Sequence, residues 1–332
     1  MVVTLKEVAE RAGVSRSAVS RTFTTGASVS VKTRRKVEKA ARELGYSPNV
    51  LARSLNTGRT SLIGLVSNNF HNPMFLQMFD LFTRGLQDRD LRPLLVNLSE
   101  ETDPEKSVRM LRQYSVDGVI VASSTLPTDF ALAFRDAGIA VVHAFGKYDS
   151  SPKVHIVGID NVECGRMALR TLTQRQYGRI GFLGGPETAT STQDRLSGFM
   201  EEAAKHPALT ASHCFADNYS FEAGRRAMQQ QLQEGVAEAY FCADDVLSIG
   251  ALSALRDHGL TPGQDVGIIG LNDMEMAAWA GIDLTTIHQP IQQIVNSSIE
   301  LMSAMLSEPD RYPEARLFPC HVVERATLRP IA

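Results

Sequence analysis

Thr4-Leu5-Lys6-Glu7-Val8-Ala9-Glu10-Arg11-Ala12-Gly13-Val14-Ser15-Arg16-Ser17-Ala18-Val19-Ser20-Arg21 is the stretch on which the fold turns. Thr4 caps a first helix and Glu7, three residues on, completes a capping box, while Leu5, Val8, Ala9 and Ala12 share one face. Gly13 ends that helix. Ser15 caps a second helix predicted over 16–24, with Val14, Val19 and Phe23 turned toward the first helix and Arg16 and Ser17 outward. Two short helices around a glycine turn describe an element that lies on DNA, the second helix carrying the reading residues.

Working outward, the spacing predicts a third helix, capped by Ser30 and stopped at Gly45, that carries the basic run from Lys32 to Arg42. Residues 1–60 hold 12 Lys and Arg against 4 Asp and Glu, whereas the remaining 272 hold 22 against 33. The whole-chain balance of -3 conceals this split. A solvated basic helix would explain the charge alone, but a basic arm on an acidic body is the asymmetry of a modular nucleic-acid binder. Next comes Tyr46-Ser47-Pro48-Asn49-Val50-Leu51-Ala52-Arg53-Ser54-Leu55-Asn56-Thr57-Gly58, with Ser47 and Pro48 as a start signal and Asn56 and Gly58 as a stop. A helix of about two turns is marginal in water, so it needs a partner helix or DNA; the alternative is an ordinary interdomain linker.

From Ser61 onward, short apolar runs alternate with helical patterns, the signature of parallel sheets covered by helices on both faces. The predicted strands are 62–67, 93–97, 118–122, 140–144, 156–159, 179–183, 212–215, 239–243, 266–271 and 286–288, with a further strand-like stretch from Phe318 to Thr327. The length suits two lobes, with the chain crossing between them more than once. Ligands in such folds bind beyond the carboxyl ends of strands, which directs attention to Asn68, Asn69, His71, Asn72, Ser123, Ser124 and Asp160 in one lobe. In the other lobe the same rule selects Arg195, Tyr219, Asp244, Asp245, Asn272 and Asp273. Asp160, Asp245 and Asp273 serve equally well as helix caps, and Phe75 and Tyr219 as lobe packing.

These residues resemble the lac repressor (LacI/GalR) family over the entire chain. The resemblance is carried by Val3 to Ala9, Gly13-Val14-Ser15, Val19-Ser20-Arg21, Gly45-Tyr46-Ser47-Pro48-Asn49 and the 61–66 strand. It implies an all-α helix-turn-helix head on an α/β body of two doubly wound parallel-sheet lobes, of periplasmic-binding-protein-like type. The expected domains are a DNA-binding head at 1–45, a hinge helix and linker at 46–60, and an effector-binding and dimerisation body at 61–332. The two lobes are expected at 61–160 plus 290–318 and at 161–289 plus 319–332. Arg16, Ser17 and Arg21 fall at base-reading positions, and Leu55 at that of a leucine that wedges into the minor groove. An arginine fork suits guanine, Ala18 suits a thymine methyl, and an apolar wedge bends the duplex. Ser20, Thr22, Thr33, Arg34 and Asn49 are expected as phosphate contacts, with Thr4, Leu5, Ser15 and Ala52 completing the DNA-facing set.

Asp194-Arg195-Leu196-Ser197-Gly198-Phe199, Asn218-Tyr219-Ser220, Ala243-Asp244-Asp245 and Gly270-Leu271-Asn272-Asp273 match the family's effector-site strings. The expected effector residues are Asn72, Phe75, Ser123, Asp160, Arg195, Tyr219, Asp244 and Asn272. Many relatives carry Asn at position 244 and Asp at 272, so carboxylate and amide look exchanged across the cleft. Hydroxyls donate to Asp and accept from Arg while a sugar's C–H face stacks on Tyr219, which points to a carbohydrate effector, with a nucleobase or other small metabolite as the alternative. A phosphorylated effector fits less well, because Lys147 or a histidine would have to join Arg195.

Cys164, Cys214, Cys242 and Cys320 are far apart, without a C-x-x-C, and suggest neither zinc nor a disulfide framework. Neither a signal segment nor an apolar run of membrane-spanning length is present, so a cytoplasmic location is expected. Gly181-Phe182-Leu183-Gly184-Gly185-Pro186 lacks dinucleotide-binding spacing, and no catalytic motif or cofactor is indicated. The competing classes are a sugar-binding protein and an α/β enzyme, neither of which explains residues 1–60. A single recognition helix reads too short a half-site, so the expected partner is a pseudo-palindromic operator in double-stranded DNA, bound by a homodimer. Apolar positions between Asn72 and Leu86 are candidates for its interface, and no leucine-heptad tetramerisation tail is seen.

Overall fold

The computed structural model describes residues 3–24, 27–47, 58–98 and 103–331. The chain divides into two compact units, Met1–Thr60 and Ser61–Ala332. In the first, α1 (Leu5–Ala12), α2 (Arg16–Thr22) and α3 (Val31–Leu44) surround a small core of Val8, Ala9, Val19, Val37, Ala40 and Ala41. The capping box closes both ways, with Thr4 N–H donating to Glu7 at 2.6 Å and Glu7 N–H to the Thr4 hydroxyl. Gly13 and Gly45 end α1 and α3 at φ 64° and 66°, left-handed positions that a side chain would strain. Ser15 and Ser30 cap α2 and α3 through the N–H groups of Ala18 and Thr33. α2 ends at Thr22, two residues earlier than the pattern suggests, because Phe23 leaves the helix to pack on the core. The predicted short helix between Pro48 and Leu55 lies outside the described residues, and with it Asn49, Ala52 and Leu55.

The second unit holds two sheets of six strands each. β1 (Leu62–Ser67), β2 (Arg92–Asn97), β3 (Gly118–Ala122), β4 (Ala140–Ala144), β5 (His155–Gly158) and β11 (Ala315–Leu317) form the first, in the order β11-β5-β4-β3-β1-β2. All its pairings are parallel. β6 (Arg179–Gly184), β7 (Thr210–Phe215), β8 (Ala239–Cys242), β9 (Gly267–Asn272), β10 (Thr285–His288) and β12 (His321–Val323) form the second, in the order β12-β10-β9-β8-β6-β7. Only β12 runs antiparallel to its neighbour. Strands β3, β8 and β9 are buried at every residue, which explains why their sequences are continuous apolar runs without alternation.

Helices α4 (Met74–Gln87), α5 (Pro104–Gln113) and α6 (Thr128–Asp136) belong to the first lobe, and α7 (Asn161–Thr173), α8 (Thr190–Ala203), α9 (Phe221–Glu234) and α10 (Asp245–Asp257) to the second. α11 (Ile291–Ser307) returns to pack on α4, β3, β4 and β5. Two pairs of helices approach backbone to backbone. A Cβ on Gly198 of α8 would run into the Val162 carbonyl of α7, and one on Gly250 of α10 into the Phe221 carbonyl of α9.

The chain crosses between lobes three times, at 159–160, 289–290 and 318–320. The stretch from Phe318 to Thr327, expected as one strand, is a strand only over His321–Val323 (β12), and the three-residue β11 lies just before the stretch, in the other sheet. Pro319 stands between them, and a residue without an N–H cannot continue a ladder. On α4, Met74, Phe75, Met78, Phe82 and Leu86 serve the protomer's own core, so most apolar positions expected at an interface face inward; Leu76, 78% exposed, is the outward one.

Candidate functional site

On the head, Arg16, Ser17, Ser20 and Arg21 stand exposed on α2. Arg16 and Arg21 have no ion pair or hydrogen bond to the described residues, in contrast to Arg11, which pairs with Glu43 at 3.0 Å. The Ser17 hydroxyl shares a hydrogen bond with Ser15 at 2.9 Å. Other expected DNA contacts are structural. Thr22 is 4% exposed and its hydroxyl donates to the Ala18 carbonyl at 2.8 Å, which removes it from the phosphate-facing set. Arg34 donates to the Thr22 carbonyl at 2.9 Å and so ties α3 to α2. Thr33 accepts from the Ser30 hydroxyl, Leu5 packs on the core, and Ala18 is half-buried.

In the body, strand order reverses beside β1 and beside β6, and the loops that follow these strands face each other. A deep cavity lies there. Asn69, Asn72, Met74, Phe75, Ser124 and Phe145 line it from the first lobe, Arg195, Tyr219, Asp244 and Asn272 from the second, with Gln289 on a crossing segment. Its open space is about 10 Å³, at the threshold for a single water molecule. Asp244 is its hub. One carboxylate oxygen accepts from the Val246 N–H at 2.8 Å, which caps α10; the other accepts from Asn272 and, across the lobes, from Asn72, both at 2.9 Å. Burial pushes Asp244 up to about 6, against hydrogen bonds and the Arg195 charge that favour the carboxylate. Asp245, also buried, is pushed up to about 7 while accepting from Thr286 and from the Met274 N–H.

Arg195 is buried on α8, where Nε donates to the Asn161 side chain at 2.8 Å and Nη1 to the Ala243 carbonyl at 2.6 Å. Among the described residues Nη2 has no acceptor. The Tyr219 ring lies directly on Gly185, where a Cβ would collide with it, and its hydroxyl meets Thr192 at 2.8 Å. That close approach accounts for Gly185, just past the end of β6, whereas a Cβ on Gly184 would meet Phe182 and Thr192. Further bonds join the lobes. The Ser191 N–H and Thr190 hydroxyl donate to the Ser124 carbonyl, at 3.2 Å and 2.9 Å, and Lys147 pairs with Asp194 at 2.8 Å. Lys147 is therefore not a free cation for an effector.

A wider cavity of about 450 Å³ continues outward from Asn69 and Tyr219, lined by Asn68, Thr125, Leu126 and Pro127 on one side and Pro186, Thr188, Ala189 and Asn218 on the other. None of the described residues that line it carries a charge.

Six of the eight expected effector residues thus come together: Asn72, Phe75, Arg195, Tyr219, Asp244 and Asn272. Ser123 and Asp160 do not. The Ser123 hydroxyl donates to Asn68 and accepts from the N–H groups of Thr125 and Leu126, shaping the turn after β3, and Ser124 lines the cavity in its place. Beneath that turn, buried His143 holds the Ser123 carbonyl through Nε2 at 3.0 Å, its pKa lowered by burial to about 4. Asp160 caps α7 through the Glu163 N–H at 2.9 Å. Asp273 caps no helix but pairs with Arg325 at 2.6 Å and His288 at 3.0 Å. Asp244 and Asn272 bond to each other within one lobe, so carboxylate and amide are exchanged between adjacent strand ends, and Asn72 is the partner across the cleft. Met74, Phe145 and Gln289 were not expected. Phe145 and Gln289 directly follow β4 and β10, so the strand-end rule reaches them; Met74 carries no such signal.

The geometry agrees with comparisons to known proteins. Residues 153–328 match the periplasmic binding protein-like domain, and residues 4–49 match bacterial regulatory proteins of the lacI family. The chain is 31% identical to the HTH-type transcriptional repressor PurR of Escherichia coli O139:H28 (strain E24377A / ETEC), over 98% of this chain and 97% of that protein. It is 28% identical to the HTH-type transcriptional repressor CytR of Escherichia coli (strain K12), over 99% and 97% respectively. Among solved structures it resembles the lac repressor dimer bound to operator and the anti-inducer ONPF, with a TM-score of 0.88 and 26% identity over 99% of this chain and 100% of that one. The transcriptional regulator CelR–cellobiose complex matches with a TM-score of 0.70 and 26% identity, over 98% and 99% of the two chains. With head, lobes and cleft all matched along its length, the chain belongs to the lacI family of bacterial regulatory proteins.

Proposed function

We propose that this chain is a cytoplasmic, sequence-specific DNA-binding repressor, not an enzyme, that acts as a homodimer on a pseudo-palindromic operator. A small neutral effector between the lobes sets its operator affinity. The supporting division runs from a reading head at 1–45 through a hinge at 46–60 to the body at 61–332. Leu55 serves as the minor-groove wedge, and the segment from Pro48 to Leu55 transmits the state of the cleft.

The observation that carries this reading is the Asn72–Asp244 hydrogen bond between the lobes. A hydroxylated ligand that donates to Asp244 and accepts from Arg195 Nη2 replaces that bond with its own, and so changes how the lobes close. A sugar or sugar derivative fits best, because the described residues of the outer cavity offer amides and hydroxyls and none of them is charged. A second reading, a flat nucleobase or nucleoside, is supported by Phe75, Phe145 and Tyr219 around the same cavity.

Fluorescence anisotropy on an operator pool, titrated with neutral sugars, polyols, nucleobases and nucleosides, tests the coupling. A shift with sugars supports the first assignment; a shift with nucleobases or nucleosides alone moves it to the second. Equal operator affinity with and without every ligand that stabilises the body in a thermal-shift screen refutes the coupling. Arg16→Ala is expected to weaken operator binding by about 1–3 kcal/mol and to leave ligand binding to the body unchanged.

A further inference from the structure

Asn272 reaches the cleft on backbone that a side chain rarely adopts. Its φ is 126° and that of Asp273 is 56°, two consecutive residues in the range that favours glycine. Such outliers cost energy, persist only where their surroundings over-determine them, and gather at ligand sites. Asn272 and Met274 line the inner cavity, and Asp273 between them does not. Each of the three has its own anchor. Asn272 Nδ2 donates to Asp244 at 2.9 Å and the Met274 N–H to Asp245 at 2.8 Å, while Asp273 accepts from Arg325 Nη2 at 2.6 Å and from His288 Nδ1 at 3.0 Å.

Both partners of Asp273 are themselves fixed. Arg325 Nη1 donates to the Leu284 carbonyl at 2.8 Å, and the Arg325 backbone N–H to the Thr285 hydroxyl at 2.9 Å. The His288 ring packs on that of His321, with 4.9 Å between centroids. His288 directly precedes the second crossing segment and His321 directly follows the third, so the cluster sits beside two of the three crossings while remaining in the second lobe. Gln289, which lines the cavity from the second crossing, donates its N–H to the Asn272 carbonyl at 3.4 Å.

We propose that Asp273, clamped by Arg325 and His288, is the positioning residue that aims Asn272 into the cleft and so sets effector affinity without touching the effector. The proposal rests on the cleft being an effector site. Among the described residues Asn272 Oδ1 has no donor, which leaves it for a hydroxyl or N–H of the effector. The Asn72–Asp244 bond spans the lobes and is lost when they part, whereas the clamp lies within one lobe and keeps Asn272 in place. A group placed before binding spares the effector the cost of ordering it. The clamp holds strain to do so: once it is broken, the backbone at Asn272 relaxes and the side chain leaves its line to Asp244.

The test is a double-mutant cycle between Arg325→Met and Asn272→Gly in the full-length chain, read by urea unfolding at one protein concentration. Glycine at 272 removes both the side chain to be aimed and the strain to be held. In the wild-type background, breaking the clamp returns the stored strain and masks part of the loss; with glycine nothing is returned. Arg325→Met is therefore expected to lower the folding constant at least about fivefold more in Asn272→Gly than in wild type. The Leu284 carbonyl loses its donor in both backgrounds, so that cost cancels. Losses that add to within about twofold, or a smaller loss beside glycine, overturn the proposal and leave Arg325 a plain staple between strands. Arg325→Lys, which keeps the charge without the fork, replaces Arg325→Met in the cycle if the latter does not fold. D-glucose, maltose, sorbitol, adenine and adenosine are then screened by thermal shift. For any of them that stabilises the wild type, Arg325→Met is expected to weaken calorimetric affinity about tenfold, and unchanged affinity overturns the proposal. If none of them acts on the wild type, the effector reading loses its support for these compounds, and the unfolding cycle still decides the clamp.

Discussion

The outer face of α2 and the cleft between the lobes treat polar groups in opposite ways. On α2, Arg16 and Arg21 are exposed without a partner among the described residues. In the cleft, Asp244 accepts three hydrogen bonds and Arg195 donates two, all within about 10 Å³ of remaining space. A surface that reads DNA gains most by leaving its donors free, since base edges and phosphates replace water at little internal loss. A switch site is different, because each ligand bond displaces an internal one and affinity becomes a difference between two satisfied states. The head is therefore expected to lose binding but not stability when its polar groups are removed, and the cleft to lose both.

The sharpest way to break that comparison is Arg195→Ala. It leaves the Asn161 oxygen and the Ala243 carbonyl without their buried donor, and it removes the charge that favours ionised Asp244. A buried acceptor left unsatisfied costs about 1–3 kcal/mol, so a loss of roughly 2–5 kcal/mol is expected in urea unfolding of the body. Arg195→Lys should recover only part of it, since an ammonium lacks the guanidinium's fixed fork. A loss below about 1 kcal/mol would mean that the cleft holds its polar groups as loosely as the head does.

A smaller effect comes from protons. Burial raises Asp245 to about 7, far above its ordinary value of 3.8, so the native state holds that proton more tightly than the unfolded chain. Its contribution is thus present at pH below the unfolded value and is lost as pH rises through about 7. His143 acts in the opposite sense. Lowered to about 4, it contributes above its ordinary value of 6.5, and that contribution is lost as pH falls toward 4. Asp245→Asn removes the first dependence and keeps the second. The stability difference between wild type and variant, measured by urea unfolding at pH 5 and pH 8, should shift toward wild type at pH 5 by on the order of 3 kcal/mol. Parallel pH profiles would show that Asp245 stays ionised in the fold.

Much of this was legible in the residues because local chemistry carried it. Thr4, Ser15, Ser30, Gly13 and Gly45 mark helix ends through bonds that each residue makes within its own turn. Strands such as 62–67, 118–122 and 140–144 read at their true bounds because sheets covered on both faces need unbroken apolar runs. The pieces that did not read were decided by distant partners. β11 and β12 are three residues each and acquire identity only from β5 and β10, remote in sequence. In the cleft, Asp160 and Ser123 look chemically as suitable as Asp244 and Ser124. Asp160 and Asp244 each give one oxygen to an N–H of the helix they cap; what separates them is that the second Asp244 oxygen meets Asn272 and, across the lobes, Asn72, while the Ser123 hydroxyl is taken up by its own turn.

Thr22 puts the same distinction to its finest test on the head. At one helical turn from Ala18 its hydroxyl bonds the backbone of its own helix, and at 4% exposure it cannot also reach a phosphate without leaving the core. Thr22→Val keeps the shape and removes that bond from a carbonyl that still receives its helical N–H. Operator affinity should then change by less than about twofold, and head stability by no more than about 1 kcal/mol. Ser20→Ala on the exposed face makes the comparison, since it deletes a hydroxyl that is free to meet DNA and should weaken binding by about 1 kcal/mol, roughly fivefold. If anisotropy gave Thr22→Val the larger loss, DNA would have to draw the Thr22 hydroxyl out of its helix. The head would then resemble the cleft, with recognition achieved by exchanging one satisfied bond for another.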